Sequence, residues 1–308
     1  VSLEDMREAA RGLLAALDEQ QRALAGLRFD DAGARRWIEY RPESRPGASL
    51  SNMDDRARKA AHRLLATGLS PHAYAQAMAI VALEEVLDRR EGWRRGRHSN
   101  DYWVTVFGDP VHDDAWSWRF EGHHISVTMT VVDGVVSPAP VFFGANPHRV
   151  MYDGRAVLAP LAAEEELARA LLDAMTPVER SRAIVSDTAP RDIRSATSPR
   201  ASALEPVGVS ASSLGGDARG LLDRIVRMYL ARLPEQFRPD PGEVSFAWEG
   251  PTVQGGRHYY RIQGDDLLIE YDNTQEDGNH AHTVLRRPRG DFGEDVLKKH
   301  LDREHPPM

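Results

Sequence analysis

Over the first 27 residues, Met6, Leu13, Leu14, Leu17, Leu24 and Leu27 recur at three- and four-residue intervals, the spacing that lines one face of a helix. A second helix is predicted over 52–67, with Asn52 as N-cap and Asp54 and Asp55 in the first turn, where the helix dipole favours acids. A third opens at Ser70-Pro71, proline being tolerated at the first helical position, and runs through Ala77, Ile80, Val81, Leu83 and Leu87 to about Asp88.

The pattern then changes period. Residues 101–107 (DYWVTVF) and 116–136 (WSWRFEGHHISVTMTVVDGVV) are rich in aromatic and β-branched side chains, and Asp133-Gly134 marks a hairpin turn. The run 141–147 (VFFGANP) reads as a short strand leaving into a tight corner, Phe143-Gly-Ala-Asn-Pro147, that can present the Asn146 amide to a ligand. Helical spacing returns at 161–175, 176–185 and 217–233. Between them, 186–216 is rich in Ser, Pro, Ala and Gly and reads as a long surface excursion: a lid, a subunit contact or a mobile segment. Strand signals follow at 243–248, 258–263, 267–272 and 280–286, then a short helix at 293–301. No internal repeat of fixed period is legible. The order predicts an α+β fold in one domain over 1–308. A helical N-terminal region (1–95) and helical insertions (155–235) pack on a mainly antiparallel β-sheet or barrel-like core, built from 100–147 and 243–308.

Composition narrows the chemistry. The 308 residues carry a formal net charge of −8, 41% hydrophobic and 28% charged side chains, twelve histidines and no cysteine. Thiol chemistry, disulfides and cysteine-ligated metals are excluded. The acidic balance argues against a nucleic-acid partner, and no apolar run approaches the roughly 18 residues of a membrane span. A soluble, cytoplasmic protein is the expectation; an exported form stays open because the chain does not begin with Met. A homo-oligomer also stays open.

The richest stretch is Leu267-Leu-Ile-Glu-Tyr-Asp272, followed by NTQEDGN and His280-Ala-His-Thr-Val-Leu-Arg286. Strand alternation puts Glu270 and Asp272 on one face, and His280 and His282 on one face of the next strand. Joined as a hairpin, these four face one another across about 5 Å. Two histidines and one or two carboxylates suit zinc, iron or manganese. A metal-free acid–base or anion site and a purely structural network are the other readings. In Trp118-Arg-Phe-Glu-Gly-His-His-Ile-Ser126, alternation sends His124 to one face and His123, with Glu121 and Arg119, to the other, so both serve one site only if Gly122 marks a bulge. Arg261 and Arg286 flank the carboxylate–histidine hairpin, where arginines hold an anionic group or balance Asp265, Asp266 and Asp291.

There is no dinucleotide or phosphate-binding glycine loop, no Gly-x-Ser-x-Gly elbow and no His-Glu-x-x-His helix. WSWRFEGHHISVTMTVVDG, VFFGANP, HYYRIQGDDLLIEYDNTQEDGNHAHTV and DFGEDVLKKH instead resemble the family labelled domain of unknown function 3500 (DUF3500), over nearly the whole chain. The resemblance implies one family-wide unit and supplies no reaction. Where the family pattern leads one to expect Trp-Arg-Asp, this chain has Leu285-Arg286-Arg287, which puts a carboxylate role there in doubt.

The residues together point to a metal-dependent enzyme. His280, His282, Glu270 or Asp272, and His123 or His124 would surround one divalent ion: zinc, iron, manganese or copper. A metal-activated water would attack a small polar or anionic substrate, an uncoordinated carboxylate acting as general base, with Glu270, Asp272, Glu121, Arg261 and Arg286 as the catalytic candidates. The alternatives are an iron or copper oxidase or oxygenase on the same ligands, and a non-catalytic anion-binding protein.

Overall fold

The computed structural model describes residues 1–304. The helices form where the periodicity places them, and caps set their limits. The first apolar stripe is two helices, Leu3–Ala16 and Glu19–Ala25, because Asp18 interrupts the run and caps the second by accepting from the Gln21 N–H. Asp54, not Asn52, caps Asp55–Gly68, while Ser70 caps Pro71–Arg90 as its sequence position predicts. Ala162–Ala174, Pro177–Ala183 and Gly216–Leu230 supply the later helical block. Among the described residues, no helix is long and apolar enough to cross a membrane.

Both β blocks join one 13-stranded, mainly antiparallel sheet that is open, so the fold is α+β and the barrel-like alternative is not realised. The blocks meet where Val141–Ala145 pairs antiparallel with His280–Arg286, Gly144 opposite His282. Outward from this pair run Ile125–Val132, Ala115–Gly122 and Tyr102–Phe107 on one side, and Leu268–Gln275, Tyr259–Gly264 and Val244–Glu249 on the other.

That order is palindromic, and the structure shows a two-fold correspondence that has no fixed period in the sequence. Each half runs helix, short helix, a two- or three-residue strand parallel to the coming sheet edge, a long loop, a two-residue antiparallel strand, one 3-10 turn and a long helix, then sheet strands. Gly26–Leu27, Ala48–Ser49 and Asp55–Gly68 correspond to Ile184–Ser186, Val209–Ser210 and Gly216–Leu230. The extra helix Pro71–Arg90 in the first half destroys a constant period, which hid the correspondence.

The two sheet faces differ. Trp116, Trp118, Val127, Phe143, Ile269 and Leu285 enter a large apolar core with the long helices. The opposite face is covered by two long loops, 28–47 and 187–208, around a small cluster of Ile38, Tyr40, Phe142, Ile193 and Val284. Apart from Phe142 and Val284, many of its strand residues are polar, and buried charge pairs and hydrogen bonds hold the loops. The segment 186–216 is therefore a covering layer, with its own short strand Val209–Ser210 and a 3-10 turn.

Candidate metal centre

In the Ala115–Gly122 and Ile125–Val132 hairpin, Gly122 pairs with Ile125, so His123 and His124 are the two residues of a tight turn. This corrects the opposite-face expectation: beyond the last pair, alternation no longer applies, and the two rings stack with centroids 3.7 Å apart. His124 has φ +63°, a left-handed conformation costly for a non-glycine residue. Its N–H donates to Tyr40 O at 3.0 Å and its carbonyl accepts from Gly144 N at 2.8 Å, which holds the turn against that cost. Gly122 has to be glycine, since a Cβ there would lie 2.3 Å from the Tyr102 ring.

His280 and His282 share a strand face, as alternation predicts, with rings 4.7 Å apart and nearly perpendicular. Opposite them Gly144 leaves room for rings: an added Cβ would stand 2.6 Å from His124 Cδ2 and 3.1 Å from His282 Cδ2. The cleared space brings one ring nitrogen each of His124, His280 and His282 within 4.8 Å of one another. His124 Nε2 and His280 Nε2 are 2.8 Å apart, so one ring donates to the other. Asn146, on the corner after the neighbouring strand, sits 3.4 Å from His280 Nδ1 and donates to Glu276 at 2.7 Å.

The three rings differ electrostatically. Burial, reinforced by the neighbouring imidazoles, lowers His280 to about 2 and holds His124 well below the usual histidine range. Both are neutral, the form that binds metal. For His282, burial works against the charge, but Asp272 and hydrogen bonds to Asp192 and Asp272 outweigh it and raise the ring to about 10. Its Nδ1–H donates to Asp192 Oδ1 at 2.8 Å and lies 3.4 Å from Asp272 Oδ2. Such carboxylate contacts on one nitrogen orient the ring so that the other can face a metal. Asp272 pairs across the hairpin with His282, as predicted, and burial pushes its carboxyl up.

Three participants were not legible as such. Asp192 comes from the covering loop and also accepts from Tyr40 OH at 3.0 Å; Tyr40 stacks on Phe142 at 4.0 Å. Glu84 reaches from the helix Pro71–Arg90 to His123, Oε1 to Nδ1 at 2.5 Å. No local pattern marks these residues, though Glu84 and Asp88 are charges on the buried side of an otherwise apolar helix, which is a signal of a buried partner. Glu84, His123 and His124 also cluster closely enough for a metal. However, Arg97 lies 3.4 Å from His123 and 3.7 Å from Glu84, so a cation there would meet a guanidinium.

The remaining sequence candidates lie under the loops. Glu270 shares the sheet face of Asp272 but lies further along the strand, under the covering loop, and accepts from Arg194 N at 2.7 Å, Ser195 N at 3.1 Å and Tyr259 OH at 2.8 Å. Glu121 pairs with Arg119 at 2.7 Å and with Arg45 at 3.9 Å, and burial pushes its carboxyl up. Arg261 pairs with Glu249 at 2.6 Å and donates to Pro206 O. Arg286 pairs with Asp291 at 2.7 Å and donates to Ser198 O at 2.8 Å. Each fastens a loop to the sheet, and none reaches the three-histidine cluster.

The donor set fits a metal chemically. Three imidazoles around a tetrahedral ion, with bonds of about 2.0–2.1 Å, hold their nitrogens roughly 3.4 Å apart and leave a fourth position for water. The His124–His280 hydrogen bond would open by about half an ångström to admit the ion. No curated protein and no solved structure matches the chain. One family model does, that of the proteins of unknown function DUF3500, over residues 1–294. Reaching from the first helix to the start of the last, this match makes the chain a member of the DUF3500 family.

Proposed function

We propose that this protein is a metal-dependent enzyme in which His124, His280 and His282 hold one divalent ion, and that its reaction is hydrolytic, on a small polar or anionic substrate. The observation that supports it most is the buried three-histidine cluster around a glycine gap, with His282 braced by two carboxylates. When bound, the ion would supply a water acidified toward neutral pH. The chain's own part is to exclude bulk solvent, keep His124 and His280 neutral, and fix the His282 ring through Asp192 and Asp272. The carboxylates stand behind a histidine, so the set is closer to a three-histidine zinc site than to the two-histidine, one-carboxylate set of non-haem iron.

The test uses protein purified without a histidine tag, stripped with a chelator and reloaded with zinc, manganese or iron(II). Hydrolysis of 4-nitrophenyl acetate and 4-nitrophenyl phosphate is followed beside oxygen consumption. Hydrolysis that appears only on reloading, and is lost in His280→Ala, is the expected result. Oxygen consumption with iron and no hydrolysis would replace the reading with the oxidative one. Failure to bind any of these metals would overturn it.

A further inference from the structure

Beside the metal centre, His123 and Glu84 form part of the wall of a cavity of about 520 Å³, whose other sides carry Arg45, Arg95, Arg97 and Trp103. His123 stacks on His124, so the cavity wall stands one ring away from a proposed metal ligand. The segment 89–98, RREGWRRGRH, leads into this cavity and carries five arginines against one glutamate, in a chain of net charge −8.

Part of that charge has a structural reason. Arg89 and Arg90 end the helix Pro71–Arg90, where the dipole favours cations. Arg97 is bonded to Glu91 at 3.0 Å and lies beside Glu84 and His123. Arg94 and Arg95 are not needed for either purpose. Arg94 donates only to the Glu91 carbonyl, and Arg95, 62% exposed, has a 3.5 Å contact with Glu91, which Arg97 already neutralises.

The loop that presents them is rigidly built. Gly92, Trp93 and Gly96 all have positive φ, at 71°, 60° and 62°. Trp93 N donates back to Asp88 O at 2.8 Å and Gly92 N to Arg89 O at 3.1 Å, a Schellman-type helix stop. Trp93 is held in this conformation although its indole is 63% exposed. Trp103 inside the cavity is half-buried, with the Arg45 guanidinium 5.6 Å from its ring. Of the acidic groups of the wall, Glu84 is engaged by His123 and Asp101 by His98 N and Ser51, while Glu43 is exposed with Arg41 4.0 Å away.

We propose that this cavity is a ligand site beside the metal centre, and that it selects molecules carrying an oxyanion on a flat ring. Arg95 takes the oxyanion with Arg94 at the rim, the ring lies along Trp103, and the far end reaches His123. The metal centre lies behind the stacked His123–His124 pair, so this site stands on its own lining. A carboxylate and a phosphate present the same chemistry to a guanidinium.

The full chain, metal-loaded and metal-free, is titrated calorimetrically with 2-naphthoate, 2-naphthyl phosphate and the neutral 2-naphthalenemethanol. At least one anion should bind tenfold or more tightly than the alcohol, and the tighter one names the oxyanion. The double variant Arg94→Ala/Arg95→Ala, both exposed and outside the core, should lose that preference tenfold, while Lys298→Ala at another cavity keeps it. Trp103→Phe should retain the preference with weaker binding of all three probes. Equal binding of alcohol and anions, no binding of any probe, or an unchanged double variant would overturn the inference. Metal loading is measured on the same samples. Anion selectivity in a protein that takes up no metal would support this cavity and overturn the metal reading; metal uptake without selectivity would overturn the cavity alone.

Discussion

Gly144→Ala is the most informative single change, because it adds one methyl group at the point where the ligand rings converge. Its Cβ would stand 2.6 Å from His124 Cδ2, 3.0 Å from His124 Cγ and 3.1 Å from His282 Cδ2. Relief to an ordinary contact of 3.4 Å requires the His124 ring to retreat by about 0.8 Å. The ring cannot swing freely, since its backbone is pinned by Tyr40 O and Gly144 N and its far face is stacked on His123. A metal ligand must stay within about 0.2 Å of its bond length, so 0.8 Å is several times the tolerance. Overpacking of this kind costs about 1–3 kcal/mol in stability. We expect metal affinity to fall at least tenfold, measured by competition with a chromophoric chelator, in a protein whose urea midpoint is lowered but whose unfolding stays cooperative. Ala145, next along the strand, serves as control through Ala145→Gly, which adds no atoms near the rings. Wild-type affinity in Gly144→Ala would refute the convergence of these rings on one ion.

Other consequences follow from the same contacts. Asp192→Ala removes the 2.8 Å acceptor of His282 Nδ1 and should weaken metal binding about 10- to 100-fold, read by the same competition; no change would remove Asp192 from the site. Glu270→Gln leaves two backbone donors and Tyr259 OH facing a poorer acceptor, so we expect a loss of about 2 kcal/mol in urea unfolding and faster protease cleavage within 187–208, with metal binding retained. Loss of metal with an intact loop would reverse that assignment. The pH dependence has a definite sign in metal-free protein. Burial lowers His258 to about 4 and His280 to about 2, so each contributes stability above the ordinary histidine range that is lost as pH falls toward those values. His282, raised to about 10, acts oppositely: its contribution is complete at low pH and is lost as pH rises toward 10. Between pH 7.5 and 5 the lowered rings, His124 among them, outweigh the raised one, so stability in urea unfolding should fall. Equal or greater stability at pH 5 would contradict it.

Much of the fold was legible because alternation and caps are local. The strand His280–Arg286 begins and ends where its residue types predict, and Asp133-Gly134 does turn a hairpin between Ile125–Val132 and Val135–Ser137. The shared face of His280 and His282 and the cross-strand pair Asp272–His282 were readable for the same reason. The His123-His124 turn was not, since it lacks an Asn-Gly or Asp-Gly signature and tertiary hydrogen bonds hold its positive φ. The corresponding hairpin in the second half, Tyr260-Arg-Ile-Gln-Gly beside Trp118-Arg-Phe-Glu-Gly, would have disclosed both turn and repeat. Glu270 was mistaken for a ligand candidate because alternation gives a face, not a position along it; two residues from Asp272, it meets the covering loop instead. Asp192, Glu84 and Tyr40 reach the site through chain separations that local patterns do not encode.

The central claim is that three histidine side chains, from one strand and one turn, bind the same ion. X-ray absorption at the metal edge of the loaded protein counts them directly. We expect one ion per chain with three imidazoles at about 2.0–2.1 Å and an oxygen ligand, falling to two imidazoles or an empty site in His280→Ala. A shell of oxygens alone, or a wild-type protein that retains no metal, would contradict the account.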